Sequence, residues 1–198
     1  AEIGYLDSQL GRFLSFLRQE RILDNPIIII TSDHGENFGD HGLIEQQYCL
    51  YDTLIKVPLI VRFPAKLSPD IVQERISTAR LFSSIVGLLE LPPKFAPNQA
   101  GKSLFSESGK AAPIIAEHAN NIDMLRGLLA SEEPGFDFSR FDANWRSILD
   151  GDLKFIWSSN GNNELYDVVR DPHELHNLAA EEAEAVQRLD GILGEWLA

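Results

Sequence analysis

The 198-residue chain has a single cysteine, Cys49, so no intrachain disulfide framework can form and the redox compartment is not indicated. It also has no apolar run near the ~20 residues that span a bilayer, which excludes a spanning helix. Positive charge is scarce. Seventeen Lys and Arg stand against 30 Asp and Glu, a formal net charge of -13, which opposes binding to nucleic acid or to an anionic membrane surface. The same deficit sets a condition on any anionic substrate, such as a sulfate or phosphate ester: a local cation must overcome the global repulsion, which points toward a metal. There is no internal repeat and no low-complexity segment. The chain opens at Ala1-Glu2-Ile3 without a methionine or a charged-then-apolar leader, and the expectation is a segment of a longer protein or one whose leader has been removed. At 44% hydrophobic and 24% charged, what is present is an ordinary globular composition. A chain of this length can bury roughly 70% of its unfolded surface, enough for a core without staples.

Apolar residues Ile3, Leu6, Leu10, Phe13, Leu14 and Leu17 recur at helical spacing and predict an amphipathic helix over Glu2 to Arg21, ended by Asp24-Asn25-Pro26. Ile27 to Thr31 is a continuous β-branched run, and Val57 to Phe63 a second apolar run closed by Pro64. Both read as strands of a parallel sheet buried on two faces. A helix is expected over Ile76 to Leu89, closed by Pro92-Pro93. From there to about Phe141 glycine and proline are frequent, with one short strand candidate at Pro113 to Glu117. Trp145 to Leu149, Leu153 to Trp157 and Glu164 to Val168 then read as three short antiparallel strands, with Asp150-Gly151-Asp152 and Ser159-Asn160-Gly161-Asn162 as turns. A final amphipathic helix runs from Ala183 to Leu197, with Glu181, Glu182 and Glu184 near its positive end. The expected domains are therefore an α/β layer over residues 1–112 and a small antiparallel sheet with a carboxy-terminal helix over 113–198.

Chemistry concentrates in Thr31-Ser32-Asp33-His34-Gly35-Glu36-Asn37-Phe38-Gly39-Asp40-His41-Gly42. The loop leaves the end of a predicted strand, where open α/β sheets bind their ligands. Asp33 and His34 offer a carboxylate oxygen and an imidazole nitrogen, compatible metal donors, and Gly35 lets the backbone turn away where a side chain would crowd an ion. Glu36, Asp40 and His41 are near enough to support such a site or to touch its substrate. A metal site and an ordinary turn with a hydrogen-bonded histidine both fit these residues. Cys49, followed by Leu50-Tyr51-Asp52-Thr53, reads as a small buried residue; Trp145, Trp157 and Trp196 read as core; His173 and His176 read as solvated turn residues.

The loop resembles the Ser-Asp-His-Gly-Glu and Gly-Asp-His-Gly segment of bacterial sulfatase-like proteins of the alkaline-phosphatase superfamily. The resemblance continues in order through Leu50-Tyr51-Asp52 with Val57-Pro58-Leu59-Ile60-Val61, read as the next strand, and through Ile76 to Leu91 and Gly101-Lys102-Ser103-Leu104. It ends with Glu164-Leu165-Tyr166-Asp167, Asp171-Pro172, Glu174 and Asn177-Leu178-Ala179. It implies part of an alkaline-phosphatase-like α/β sandwich followed by a small antiparallel sheet and a carboxy-terminal helix. It further implies that Asp33 and His34 supply one side of a divalent-metal site, and that His41 contacts substrate or leaving group. Many sulfatases have Asn at the place of His34 and hold calcium. The histidine variant is shared with relatives that cleave phosphate or phosphonate esters, often with manganese or zinc. Where sulfatases commonly carry a sulfate-contacting lysine, this chain has Ile44-Glu45-Gln46-Gln47, which leaves Gln46 or Gln47 for substrate contact. Arg80 and Ser83 stand where the family tends to show Asp and Pro.

Nothing in the chain fits the family's nucleophile motif, Cys/Ser-x-Pro/Ala-x-Arg, which in the family lies with a pair of metal aspartates ahead of the segment matched here. The expectation is a carboxy-terminal fragment of a sulfuric ester hydrolase, inactive alone and self-associating through its truncated sheet. A phosphodiesterase or phosphonate monoester hydrolase fragment, and a non-catalytic structural module, are the alternatives.

Overall fold

The computed structural model describes residues 2–45, 48–92, 103–105, 112–120, 122–129 and 138–197. The chain divides into two compact units, one of Ala1–Asp33 with Pro58–Arg75, the other of His34–Val57 with Ile76–Ala198. No helix among the described residues is long and apolar enough to cross a membrane.

The first unit opens with α1 (Glu2–Gln19). The helix stops two residues before the predicted end because Arg21 turns left-handed at φ 59°, and the amides of Ile22 and Leu23 both donate to the Leu17 carbonyl. The two apolar runs do form strands, β1 (Ile28–Thr31) and, later in the chain, a partner at Leu59–Arg62. They pair antiparallel, Ile28 opposite Arg62 and Thr31 opposite Leu59, which corrects the parallel expectation. Nor are they buried on both faces: β1 is half-buried with Thr31 exposed, and Ile60 is 58% exposed. A β-branched run reports strand propensity. It says nothing of direction, which is set by how the chain returns. Arg62 anchors the pair, reaching the Leu23 carbonyl and, at 3.0 Å, the Asp24 carboxylate.

In the second unit, the glycine-spaced loop contains a two-residue antiparallel pair, β2 (Asn37–Phe38) with β3 (Ile44–Glu45), joined through a one-turn 3-10 helix at Asp40–Gly42. Next comes a one-turn helix, α2 (Asp52–Ile55), where the strand reading of Leu50-Tyr51-Asp52 is corrected; the strand itself, β4 (Leu59–Arg62), belongs to the first unit. The helix expected from Ile76 is a 3-10 turn at Thr78–Arg80 running into α3 (Leu81–Leu88), with Ser77 Oγ accepting from the Ala79 amide at its start. Leu104, in the Gly-x-Ser-Leu segment, docks on α3 through its amide to Ser84 Oγ at 2.8 Å, and Arg80 donates to the Ser103 carbonyl at 2.9 Å. Gly101 and Lys102 lie outside the described residues.

The carboxy-terminal sheet has four strands rather than three. β5 (Ile114–His118) lies at its edge beside β6 (Trp145–Asp150), followed by β7 (Leu153–Ser158) and β8 (Glu164–Asp167), all antiparallel. Between β5 and β6 lies α4 (Ile122–Leu129), which was not expected in this glycine- and proline-rich stretch and whose start is capped by Asn120 Oδ1 accepting from the Ile122 amide. Strand alternation gives the sheet two covered faces. Ile148, Phe155 and Leu165 pack with Leu189 and Leu193 of α5 (Ala183–Leu197). Ile156 and Tyr166 face the other way, onto Leu43, Cys49, Leu50, Tyr51 and Leu54. Each fully buried Leu or Phe contributes about 1.5 to 3 kcal/mol, so this sandwich is what holds the loop segment in place. Trp196 is 54% exposed, against the core expectation, because it lies a turn beyond Leu193, the last buried residue of α5.

Candidate functional site

Each predicted site residue was placed by its own unit. Asp33 closes the first unit, exposed, with Ser32 Oγ donating to its Oδ1 at 3.4 Å. His34 opens the second, half-buried, with Nδ1 2.8 Å from the Gly35 carbonyl. A carbonyl oxygen only accepts, so Nδ1 carries a proton in this contact. A backbone carbonyl holding Nδ1–H is also a contact that orients metal-ligating histidines. A carboxylate and an imidazole are each, by residue chemistry, compatible donors for a divalent ion. Among the described residues no group of three or more His, Cys, Asp or Glu is gathered to hold one, so further donors would have to come from elsewhere.

Gly35 is required by the closeness of a neighbouring backbone. A Cβ there would lie 2.1 Å from the Thr53 carbonyl oxygen, while the Gly35 amide donates to the Leu54 carbonyl at 2.6 Å. The loop is pressed against α2, whose backbone occupies the space of a side chain at this position. Asn37, fully buried, completes the docking: its Oδ1 accepts from Thr53 Oγ1 at 2.7 Å and its Nδ2 lies 3.6 Å from Cys49 Sγ. Cys49 is buried as expected, and burial pushes its thiol pKa up, away from nucleophile character.

Asp40 turns inward on its own loop, accepting from the Phe38 amide at 3.2 Å, and Glu36 is exposed. His41 holds a left-handed backbone at φ 53° and stacks flat on Tyr51, ring centroids 3.6 Å apart and 8° from parallel. Tyr51 in turn donates to Glu164 Oε2 at 2.8 Å, the same oxygen that accepts from Tyr166 at 2.7 Å. Burial first, and then the Glu164 carboxylate, push the Tyr166 phenol far up, so it stays protonated and donating. Gln46 and Gln47 lie outside the described residues. His118 ends β5 against the rings of Tyr48 and Trp145, and His176 sits exposed beside Asp171, as a solvated turn residue should.

Sequence reasoning missed the residues that tie the loop to the sheet. Lys154, 1% exposed on β7, lies 2.8 Å from Asp52 Oδ1 and 2.7 Å from Glu174 Oε1, and Glu174 Oε2 accepts from the Asp52 amide at 2.6 Å. Burial raises the Glu174 carboxyl above its usual pKa, with Lys154 pulling the other way. The available signal was a lysine at an alternation position that should face inward, opposite a chain-terminal motif rich in carboxylates.

Comparison with known proteins now adds to this geometry. The family model described as Sulfatase matches residues 1–91. The N-acetylgalactosamine-6-O-sulfatase of Bacteroides thetaiotaomicron is 27% identical over 216 residues, covering 95% of this chain and 39% of that protein. Arylsulfatase K of Gallus gallus is 29% identical over 195 residues, covering 94% of this chain and 34% of that protein. In structure, the phosphonate monoester hydrolase of Agrobacterium radiobacter superposes with a TM-score of 0.71 at 26% identity, over 98% of this chain and 39% of that one. The chain therefore spans between about a third and two fifths of the length of the proteins it matches.

Proposed function

The chain is a relative of the sulfatases of the alkaline-phosphatase superfamily, and we propose that it supplies the metal-loop part of a sulfuric ester hydrolase. The observation that carries this reading is the sulfatase match along 94% and 95% of the chain, with an adjacent Asp33 and His34 whose Nδ1 is held by a backbone carbonyl. Asp33 and His34 would hold a divalent ion. When bound, that ion would supply Lewis-acid stabilisation of the ester oxygens and the positive charge that a protein of net charge -13 needs at an anionic substrate. The carboxylate suits calcium; the imidazole favours manganese or zinc. His41, held flat by Tyr51, would present its ring to the substrate or leaving group, and Gln46 would contact the ester oxygens. The nucleophile and further ligands would come from outside these residues, so the 198-residue chain alone would not turn over ester. Exposed Ile60, Phe13 and Phe16 in the first unit give such an isolated chain an apolar surface for self-association.

A second reading is favoured by one observation: a phosphonate monoester hydrolase superposes on the chain with a TM-score of 0.71 at 26% identity. Turnover of 4-nitrophenyl sulfate and of 4-nitrophenyl phenylphosphonate by the intact protein separates the two. The sulfate ester is expected to be the better substrate, with Asp33→Ala and His34→Ala each slowing turnover by at least about 100-fold. A faster phosphonate ester would support the second reading. Turnover indifferent to both substitutions would remove the site.

A further inference from the structure

We infer that Lys154, with Asp52 and Glu174, positions the His34 segment from the far side of the fold. The chain of contacts is continuous within the second unit. Glu174 and Lys154 grip the start of α2 through the Asp52 amide and carboxylate, at 2.6 and 2.8 Å. The carbonyls of the next two residues of α2 then meet the loop: Leu54 O accepts from the Gly35 amide at 2.6 Å, and Thr53 O fills the space of a Gly35 side chain. Thr53 Oγ1 adds its bond to the buried Asn37. His34 is the residue before this anchor, and its Nδ1 bonds the carbonyl of Gly35 itself, so a shift of α2 moves the peptide that orients the ring.

Two features argue that the grip is specific. A lone buried cation paired to two carboxylates is costly to desolvate, so an apolar contact would serve mere packing at least as well. Glu174 also holds a left-handed backbone, φ 54°, a conformation residues with side chains rarely adopt and one that aims its carboxylate at both partners. The reach is long in sequence, which links the carboxy-terminal Asp171-Pro172 and Glu174 motif to the loop at its other end.

The inference rests on the reading of His34 as a metal ligand, but its first test does not. Amide hydrogen exchange is measured in the intact protein and in Asp52→Asn and Lys154→Met, the former chosen because the Asp52 side chain is partly accessible and its loss leaves the Lys154–Glu174 pair in place. The Gly35 amide is expected to exchange at least about tenfold faster in both variants, relative to the amides of β6. Titration with Mn²⁺ alone is expected to show about tenfold weaker binding, the lower end of what losing a ligand's supporting contact costs. Gly35 exchange that is unchanged, or that rises only in step with β6, overturns the positioning role and leaves a stabilising network. Mn²⁺ binding untouched by His34→Ala overturns the metal reading instead, and the exchange result then stands or falls by itself.

Discussion

At Gly35 one absent methyl group decides how close two backbones come. A Cβ would sit 2.1 Å from the Thr53 carbonyl, and backbone cannot swing aside as a flexible side chain would. Gly35→Ala should therefore destabilise the intact protein by about 1 to 3 kcal/mol in urea denaturation, the cost of overpacking. Gly11→Ala is the control: that glycine lies within α1 with open space around it, so alanine should be neutral or stabilising by up to about 1 kcal/mol. Equal effects at the two positions would mean the loop does not dock as described. The glycine itself was legible from its place after Asp33-His34. Its packing against α2 was not, because the crowding partner is a carbonyl on a one-turn helix too short to leave a periodic signal. His41 was likewise legible as a loop histidine, while its stacking on Tyr51 depends on where the segment 43–55 lies against the sheet, which no local pattern encodes. Lys154 is the clearest miss: a charged residue reads as exposed unless its two carboxylate partners are already known.

The elements of the carboxy-terminal sheet were the most legible because local chemistry marks their ends. Gly151 and Gly161 take φ of 64° and 86° in the turns read from Asp-Gly and Asn-Gly, and α5 occupies the predicted range from Ala183 to Leu197. Non-local features failed: the antiparallel direction of β1 against β4, and the addition of β5 to the sheet. The turn after β8 offers a test of the local reading. Asp167 accepts from the Arg170 amide at 3.0 Å and the Val169 amide at 3.1 Å. The first of these does most to hold its carboxyl below the usual 3.8, partly offset by burial, with Val169 and the Arg170 charge adding to it. A carboxyl whose folded pKa is depressed contributes stability above its unfolded value, and that contribution is lost as pH falls through the folded one. The stability of wild type relative to Asp167→Asn should therefore hold constant from neutral pH down to about 4 and shrink below it. Asparagine keeps an acceptor oxygen, so the comparison isolates the charge. A difference that stays level through that window would show that the turn does not use the ionised carboxylate.

For the whole molecule, acidity and chemistry pull against each other. A chain of net charge -13 proposed to serve a sulfate or phosphate ester hydrolase calls for a concentrated positive charge, and Asp33 and His34 are a carboxylate and an imidazole in succession along the sequence. The relation to sulfatases was legible because short motifs follow one another in order along the chain; the ester class was not, since a phosphonate monoester hydrolase also superposes on the chain. Calorimetric titration of the intact protein with Mn²⁺, beside Asp33→Ala and His34→Ala, tests the central claim most directly. The account predicts a divalent site whose affinity falls by more than about 100-fold on removal of either side chain, beyond the loss that supporting contacts alone produce. Binding of unchanged affinity in both variants would contradict it.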